Sequence, residues 1–201
     1  MVPRSDQDLE QMVSDGIRRS VAVREALLAE LSTHREVIRR LVDVFEADGK
    51  LLVFGNGGSA GDAQHIATEL VGRFYFHRRA LPALPLTVNT SALTAIGNDY
   101  DFKDVFSRQV EAYGRAGDAA IGMSTSGNAA NVIEGVRMAR RLGMLTIGMT
   151  GREGGQLAAE VDIPIRVQSD ETPRIQEAHL LLGHLWCQGI EAVMFGESEP
   201  A

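Results

Sequence analysis

Short apolar runs alternate with longer stretches of helical periodicity from residue 49 onwards. The apolar runs predict strands at 51–54, 84–88, 119–123, 145–149 and 163–167, and helical patterns lie at 59–73, 101–113, 128–142, 154–160 and 173–194. Strands that are apolar on both faces and separated by helices are typical of a parallel sheet covered on both sides. The chain is therefore predicted to form a three-layer α/β sandwich around a central five-stranded parallel sheet.

The first 48 residues have a helical pattern of their own. Apolar side chains recur mostly at three- and four-residue steps between residues 7 and 47, and Gly49 ends the pattern. We expect one domain over 1–201, with a helical extension at 1–48 and an α/β core at 49–195. The extension is longer than one sheet needs. It either packs against another subunit or lies across its own sheet, and we expect it to contribute to oligomerisation.

Composition narrows the classes of function. The net charge of −7 argues against nucleic acid binding, which usually needs a clustered basic face. The single cysteine, Cys187, excludes an intrachain disulfide. No apolar run approaches the ~20 residues of a membrane span, and the polar start of the sequence does not resemble a signal peptide. We expect a cytoplasmic protein that binds neither nucleic acid nor membrane and holds any anionic ligand with local donors.

Two loops of the same kind follow predicted strands. The first is GNGGS at 55–59, and the second is STSGN at 124–128. In open parallel sheets, ligands bind at the carboxyl ends of the strands, where loops turn into helices. Small residues, hydroxyl groups and free backbone N–H groups at a helix start can hold a phosphate. The two loops predict a small phosphorylated ligand, with its phosphate mainly on Ser124, Thr125 and Ser126.

Two other phosphate-binding motifs do not fit the first loop. The dinucleotide fingerprint also expects an acidic residue ~20 positions further on, and none lies at 88–90. A nucleotide P-loop needs a lysine, but the only lysines in the chain are Lys50 and Lys103, and neither is suitably placed. The same scarcity argues against a Schiff-base mechanism.

His65, Glu69, Gln176 and His184 are candidate ligands or catalysts. His65 and Glu69 lie four positions apart on the helix that follows the first loop, so they share a face. They could bind one metal ion or form an ordinary pair. His184 lies among leucines and could be a core residue or a tuned acid or base. Gln176 and His184 are about 12 Å apart along one helix, so together they could serve one metal site only from different subunits.

Several of these motifs together resemble a known family. The stretches GNGGSAGDAQHIATELVGRF, TAIGNDYDF, GMSTSGNAANVI, TGREGGQLA and TPRIQEAHLLLGH, in this order, resemble the sugar-isomerase (SIS) domain family. More narrowly, they resemble its isomerases of sedoheptulose 7-phosphate, from residue 7 to residue 194. The resemblance implies a ketose–aldose isomerase that forms D-glycero-D-manno-heptose 7-phosphate through an enediol, for surface glycans such as lipopolysaccharide. It also implies one zinc ion per subunit and a homotetramer with active sites built between subunits.

The resemblance also implies roles for individual residues. Glu69 and His184 match the acid/base pair of the family. The matching zinc ligands are His65, Glu69, Gln176 and His184. The matching substrate-binding positions are Asn56, Gly57, Gly58, Ser59, Glu69, Arg73, Asn98, Asp99, Ser124, Thr125, Ser126 and Gln176.

One position departs from the family pattern, because Ala129 stands where the phosphate loop commonly has a serine. Losing one neutral hydrogen bond typically costs ~0.5–1.5 kcal/mol, so we expect weaker substrate binding.

Three other functions are compatible with this outline. One group of SIS proteins acts as a tetrameric adaptor for the bacterial replication initiator and lacks the glutamate and the last histidine. Glu69 and His184 therefore favour an enzyme. A sugar-phosphate-sensing regulator would usually carry a DNA-binding segment, and none is apparent in the sequence. An isomerase of another sugar phosphate would use the same loops.

Overall fold

A computed structural model describes residues 5–196. Its α-helices are α1 Asp6–Ala26, α2 Leu31–Glu46, α3 Gly58–Val71, α4 Thr90–Asp99, α5 Ser107–Tyr113, α6 Ala130–Arg141 and α7 Thr172–Phe195. Its strands are β1 Leu51–Gly55, β2 Ala83–Pro85, β3 Ala119–Met123, β4 Leu145–Thr150 and β5 Ile163–Arg166. Short 3-10 helices cover Leu27–Glu30, Phe102–Asp104 and Leu157–Ala159. No helix within residues 5–196 is both long and apolar enough to cross a membrane.

The strands form one five-stranded parallel sheet in the order β2-β1-β3-β4-β5. This confirms the predicted sheet and its parallel pairing. Strands β1 and β3 are neighbours although β2 lies between them in the sequence. The loops after β1 and β3 therefore leave the sheet side by side, at the switch point where parallel sheets bind ligands.

Alternate side chains of β1 enter two separate cores. Leu51 and Val53 of β1 pack in the core that also contains residues of α2, α3 and α7. Leu52 and Phe54 pack in the other core, with residues of α5 and α6. Successive side chains of a strand point to opposite faces, so a strand buried on both sides is apolar at every position. Helices α3 and α7 therefore lie together on one face of the sheet.

The N-terminal region forms two helices with different surroundings. Helix α2 buries Val37, Leu41, Val42, Val44 and Phe45 in the first core. Helix α1 has no buried residue. It packs against the start of α7, where Arg174 donates to the carbonyl of Gly16 at 2.6 Å. Its apolar side chains Leu9, Met12, Val13, Ile17 and Val21 are exposed. The use of this extension in oligomerisation stays a prediction.

Some predicted helix boundaries were wrong. Helix α4 was not predicted, although Asn89 caps it by accepting a hydrogen bond from Ala92 N at 3.0 Å. The predicted helix at 101–113 begins only at Ser107, after a 3-10 turn. The predicted helix at 154–160 is only the 3-10 turn Leu157–Ala159, because Gly154 and Gly155 have positive φ angles outside the helical region.

Candidate active site

The first loop joins β1 to α3 through Asn56 and Gly57. Gly57 has φ +57°, a left-handed conformation that favours glycine, and occupies the N-cap position of α3 without a capping side chain. Gly57 and Gly58 are exposed, as a backbone that contacts a ligand must be. Ser59 is only 3% exposed, so the structure places its hydroxyl beneath the loop rather than on its surface.

Asn56 connects the two loops. Its side-chain amide and that of Asn131, in the first turn of α6, donate to each other's oxygen at 2.8 Å in both directions. Asn131 is buried and also accepts from Val132 N at 2.9 Å. The sequence prediction missed Asn131, and its only signal was an amide directly after the second loop. The pair fixes the first loop relative to the second.

The second loop joins β3 to α6 through 124–129. Ser126 Oγ accepts from Asn128 N at 3.2 Å and lies 3.4 Å from Ser124 Oγ. Gly127 has φ +69° and packs so closely on Gly154 that any side chain there would collide with its carbonyl. This loop is therefore held in a tight turn with its hydroxyl groups clustered.

A cleft of about 190 Å³ opens beside the second loop. Thr125 and Ser126 form one side of it, and Arg152 and Ser169 lie on the other side. The Arg152 side chain is about half exposed, with its Nε 3.4 Å from Asp170. Sequence reasoning missed this cationic side chain, because it follows β4 rather than β1 or β3.

Ala129 occupies the N-cap position of α6 and supplies no capping hydrogen bond. The first N–H groups of a helix have no partner within the helix, and the helix dipole makes this end attractive to anions. The amino end of α6 therefore faces the second loop with donors that no side chain of residue 129 satisfies.

His65, Glu69 and His184 converge in one subunit. His65 Nε2 lies 2.8 Å from His184 Nε2 and 3.1 Å from Glu69 Oε1. One ligand atom from each of the three side chains lies within 4.8 Å of the other two. His65 is exposed, whereas Glu69 and His184 are partly buried. The cluster is thus accessible from one side and supported on the other.

Gly183 allows α7 to approach α3 closely enough for this contact. A Cβ at position 183 would lie 2.6 Å from Ile66 Cγ1, which is closer than real contacts allow. Gly183 directly precedes His184, and Ile66 directly follows His65. The sequence prediction did not single out Gly183, because nothing in its neighbourhood identifies the residue it faces.

Gln176, on α7, lies against a different part of α3 within the same subunit. A Cβ on Gly58 would lie 2.6 Å from Gln176 Nε2, so the amide covers the first turn of α3. His65 is about 10 Å further along that helix. The structure therefore does not bring Gln176 to the other three candidate ligands of its own chain.

Asp62 lies one turn before His65 on α3. This carboxyl group was not singled out from the sequence. Burial raises its pKa from 3.8 to about 6, and the charge of His65 acts in the opposite direction. Its Oδ2 is buried without a hydrogen-bond partner in the described part of the chain. Position 62 precedes His65 by three residues, so the helical period was the only signal for it.

The other predicted substrate-binding residues lie on exposed segments. Asn98 donates to Asp99 at 2.8 Å, at the carboxyl end of α4. Arg73 follows α3 and is exposed. Within residues 5–196, no hydrogen bond joins Asn98 or Asp99 to the two loops, and Arg73 has no ion pair.

The donor set of the cluster suits a transition metal. Two imidazole nitrogens and one carboxylate oxygen are ligands that zinc commonly takes, with a fourth position open in catalytic sites. The exposed side of His65 leaves room for that fourth ligand. The residues present therefore fit a zinc ion.

The fold and the two loops at its switch point define an α/β domain of the kind that binds small ligands at the carboxyl ends of its strands. A profile of the SIS domain matches residues 18–151, so the chain belongs to the SIS domain family.

Relatives within that family identify its branch. The chain is 52% identical over 176 residues to a phosphoheptose isomerase of Geotalea daltonii, covering 87% of this chain and 92% of the relative. It is 47% identical to that of Aneurinibacillus thermoaerophilus, covering 91% and 94%. The structure of phosphoheptose isomerase GmhA from Neisseria gonorrhoeae superimposes with a TM-score of 0.87 at 44% identity, covering 92% of this chain and 99% of that one. The chain is a member of the phosphoheptose isomerase branch of this family.

Proposed function

We propose that the protein isomerises sedoheptulose 7-phosphate to D-glycero-D-manno-heptose 7-phosphate, a precursor of nucleotide-activated heptose for surface glycans. The observation that carries this proposal is the convergence of His65, Glu69 and His184 at the helix that begins in the first of two phosphate-type loops. The similarity to phosphoheptose isomerases over most of the chain supports the same reaction.

Glu69 and His184 divide the proton transfers in this proposal. The Glu69 carboxylate takes a proton from C1 of the ketose, while His184 donates a proton to the C2 oxygen, which gives an enediol. Glu69 then returns its proton to C2, and the C1 hydroxyl gives its proton to His184. The aldehyde forms at C1, and both side chains return to their starting protonation states.

A zinc ion is the proposed cofactor, one per subunit. His65, Glu69 and His184 would hold it, and Gln176 of a neighbouring subunit is the proposed fourth ligand. Bound zinc would stabilise negative charge on the substrate oxygens. The distance of Gln176 from the cluster in its own chain supports a contribution from another subunit.

The two loops divide substrate binding in this proposal. Ser124, Thr125 and Ser126 hold the phosphate together with the amino end of α6, and Arg73 adds a positive charge. The sugar hydroxyl groups contact the first loop and the end of α4, through Asn56, Gly57, Gly58, Ser59, Asn98, Asp99, Glu69 and Gln176. Ser59 contributes mainly by supporting the loop, since it is buried.

The proposed assembly is a cytoplasmic homotetramer. The exposed apolar side of α1, with Leu9, Val13 and Ile17, supports packing against another copy. Analytical ultracentrifugation tests the assembly. A tetramer that dissociates on Val13→Asp substitution is the expected result, and a parent protein that sediments as a monomer would contradict it.

NMR of the purified protein with sedoheptulose 7-phosphate tests the reaction. We expect signals of an aldoheptose phosphate, slower conversion after zinc chelation and recovery when zinc is restored. Parallel samples with fructose 6-phosphate and ribulose 5-phosphate test for another sugar phosphate. No conversion of the heptose with zinc supplied, or faster conversion of a shorter sugar, would overturn the proposed substrate. The presence of Glu69 and His184 disfavours the adaptor alternative.

A further inference from the structure

Glu191, near the end of α7, is a buried carboxylate surrounded by hydrogen-bond donors. It is 1% exposed and accepts from the backbone N–H groups of Phe74, Tyr75 and Phe76, with distances of 2.9 Å to Phe74 and 3.0 Å to Phe76. Arg78 Nε donates to it at 2.8 Å. Every one of these partners is a donor, so only an ionised acceptor satisfies them all.

Arg78 connects this carboxylate to the end of α3. Its side chain is 1% exposed. Its Nη2 donates to the carbonyl of Glu69 at 2.8 Å, and its Nη1 donates to that of Leu70 at 2.8 Å. The last carbonyls of a helix have no partner within the helix, and a cation there also complements the helix dipole. The pair therefore ties the end of α3, the segment 74–76 and α7 together.

Two groups of the proposed active site depend on this connection. The carbonyl held by Arg78 belongs to Glu69 itself. The Phe74 ring, whose backbone N–H is held by Glu191, lies with its centroid 5.9 Å from that of His184. Burial raises the pKa of Glu191, but the amide hydrogen bonds and Arg78 outweigh this effect and hold its pKa below its usual value.

We propose that Arg78 and Glu191 are positioning residues for the isomerisation. They fix the last turn of α3 under Glu69 and hold Phe74 against His184, so that the acid and the base keep their mutual orientation. Neither residue touches the substrate in this account. The inference rests on the proposed function for its kinetic test, but not for its structural test.

Asp118 provides a matched control in another part of the fold. It directly precedes β3 and is 4% exposed. It accepts from the backbone N–H groups of Lys50 at 3.0 Å and Arg115 at 2.8 Å, and it pairs with the Lys50 side chain. It thus holds two amides and one cation, much as Glu191 holds three amides and one cation, but none of its side-chain hydrogen bonds within residues 5–196 reaches α3 or α7.

The kinetic test compares Glu191→Gln with Asp118→Asn below the unfolding temperature of both. A glutamine at 191 must turn its NH₂ group towards donors. We expect kcat to fall between about tenfold and hundredfold in Glu191→Gln, since small misplacements of reacting groups have effects of that size. Asp118→Asn should stay within about twofold of the parent despite a lower melting temperature. A kcat of Glu191→Gln equal to that of Asp118→Asn would overturn the proposal.

The structural test reads the Phe74–His184 contact without substrate or metal. The imidazole protons of His184 should show a ring-current shift that disappears in Phe74→Leu. Glu191→Gln should lose the shift, and Asp118→Asn should keep it. If Glu191→Gln does not fold, Arg78→Lys replaces it in both tests, with the same expected losses. A retained shift in Glu191→Gln or Arg78→Lys would overturn the positioning role, even if the parent did not isomerise sedoheptulose 7-phosphate. A lost shift in a protein without that activity would support positioning and reject only the substrate.

Discussion

The loops after β1 and β3 resemble each other locally but are followed by helices with different surroundings. Each loop turns through a glycine with positive φ into a helix without a side-chain cap. Beyond the first loop, α3 packs against α7 and presents His65 and Glu69 to His184. Beyond the second loop, the polar side of α6 bears Arg137, which pairs with Glu134 and Glu160 at its surface.

In our proposal, a loop of this kind supplies binding, whereas the helix packed against the following helix determines whether the site also contains catalytic side chains. Both helix starts can offer backbone donors to an anion. Both helices pack against a second helix, α3 against α7 and α6 against α5, but within residues 5–196 two imidazole nitrogens meet only between α3 and α7, at 2.8 Å. Gly183 makes that approach feasible, because any side chain there would press on Ile66.

The largest effect is expected from removing the carboxylate of α3. Glu69→Gln should lower kcat by about 10²–10⁴-fold, the usual contribution of a positioned general base. Glu134→Gln, the matched change on α6, should leave kcat within about twofold, since it removes only a surface ion pair. Steady-state kinetics with sedoheptulose 7-phosphate measure both. Near-normal turnover of Glu69→Gln would show that Glu69 on α3 is no more important for catalysis than Glu134 on α6.

The second loop should affect binding more than turnover. Ser126→Ala and Thr125→Ala each remove one hydroxyl group, and a neutral hydrogen bond is worth ~0.5–1.5 kcal/mol. We expect KM to rise between about twofold and tenfold for each, with kcat nearly unchanged. Thr94→Ala, whose hydroxyl bonds the carbonyl of Thr90 in its own helix, is the control. An equal fall in kcat without a change in KM would assign the second loop to chemistry instead.

The missing cap of α6 can be restored. Ala129→Ser should stabilise the protein by about 1 kcal/mol, as an N-cap serine does, and should lower KM by adding a donor near the phosphate. Ala130→Ser, one position inside the helix, cannot cap it and should not stabilise. Thermal unfolding with and without inorganic phosphate measures both effects. Equal stability of Ala129→Ser and Ala130→Ser would show that a serine at position 129 does not cap α6.

The smallest effect concerns Asp62 on α3. Its folded-state pKa is raised from 3.8 to about 6, so its contribution to stability is complete below pH 3.8 and is lost as the pH rises through 6. In metal-free protein, Asp62→Asn should be more stable than the parent at pH 7.5 by no more than about 1 kcal/mol, because solvent screens this partly exposed group. At pH 4 the difference should be small. Chemical denaturation at both pH values measures it, and a difference that grows towards low pH would contradict the raised pKa.

The sequence predicted the sheet because the central strands β1, β3 and β4 consist mostly of apolar and small residues, a pattern that burial between two helical layers imposes. It also predicted the placement of the two loops, since glycine and hydroxyl residues follow β1 and β3 directly. It could not predict Arg152, Asn131 or Gly183. Their roles depend on which residue lies opposite in space, and neither periodicity nor spacing records that.

Helix α4 and the Arg78–Glu191 pair were missed for related reasons. Helix α4 has only ten residues, and Leu93 and Ile96 are its only large apolar side chains, so the apolar period was weak. Arg78 and Glu191 are charged residues 113 positions apart, and each alone is typical of a solvated surface. Only the fold shows that both are 1% exposed and paired.

Deuterium incorporation shows whether Glu69 carries the proton between C1 and C2 of the substrate. The protein is incubated with sedoheptulose 7-phosphate in deuterated water until the two sugars equilibrate, and NMR measures deuterium at C1 of the ketose and C2 of the aldose. The account predicts deuterium at both carbons with the parent and with Glu134→Gln, and at neither with Glu69→Gln. Conversion that leaves both carbons free of deuterium after many turnovers, or incorporation that persists in Glu69→Gln, would contradict it.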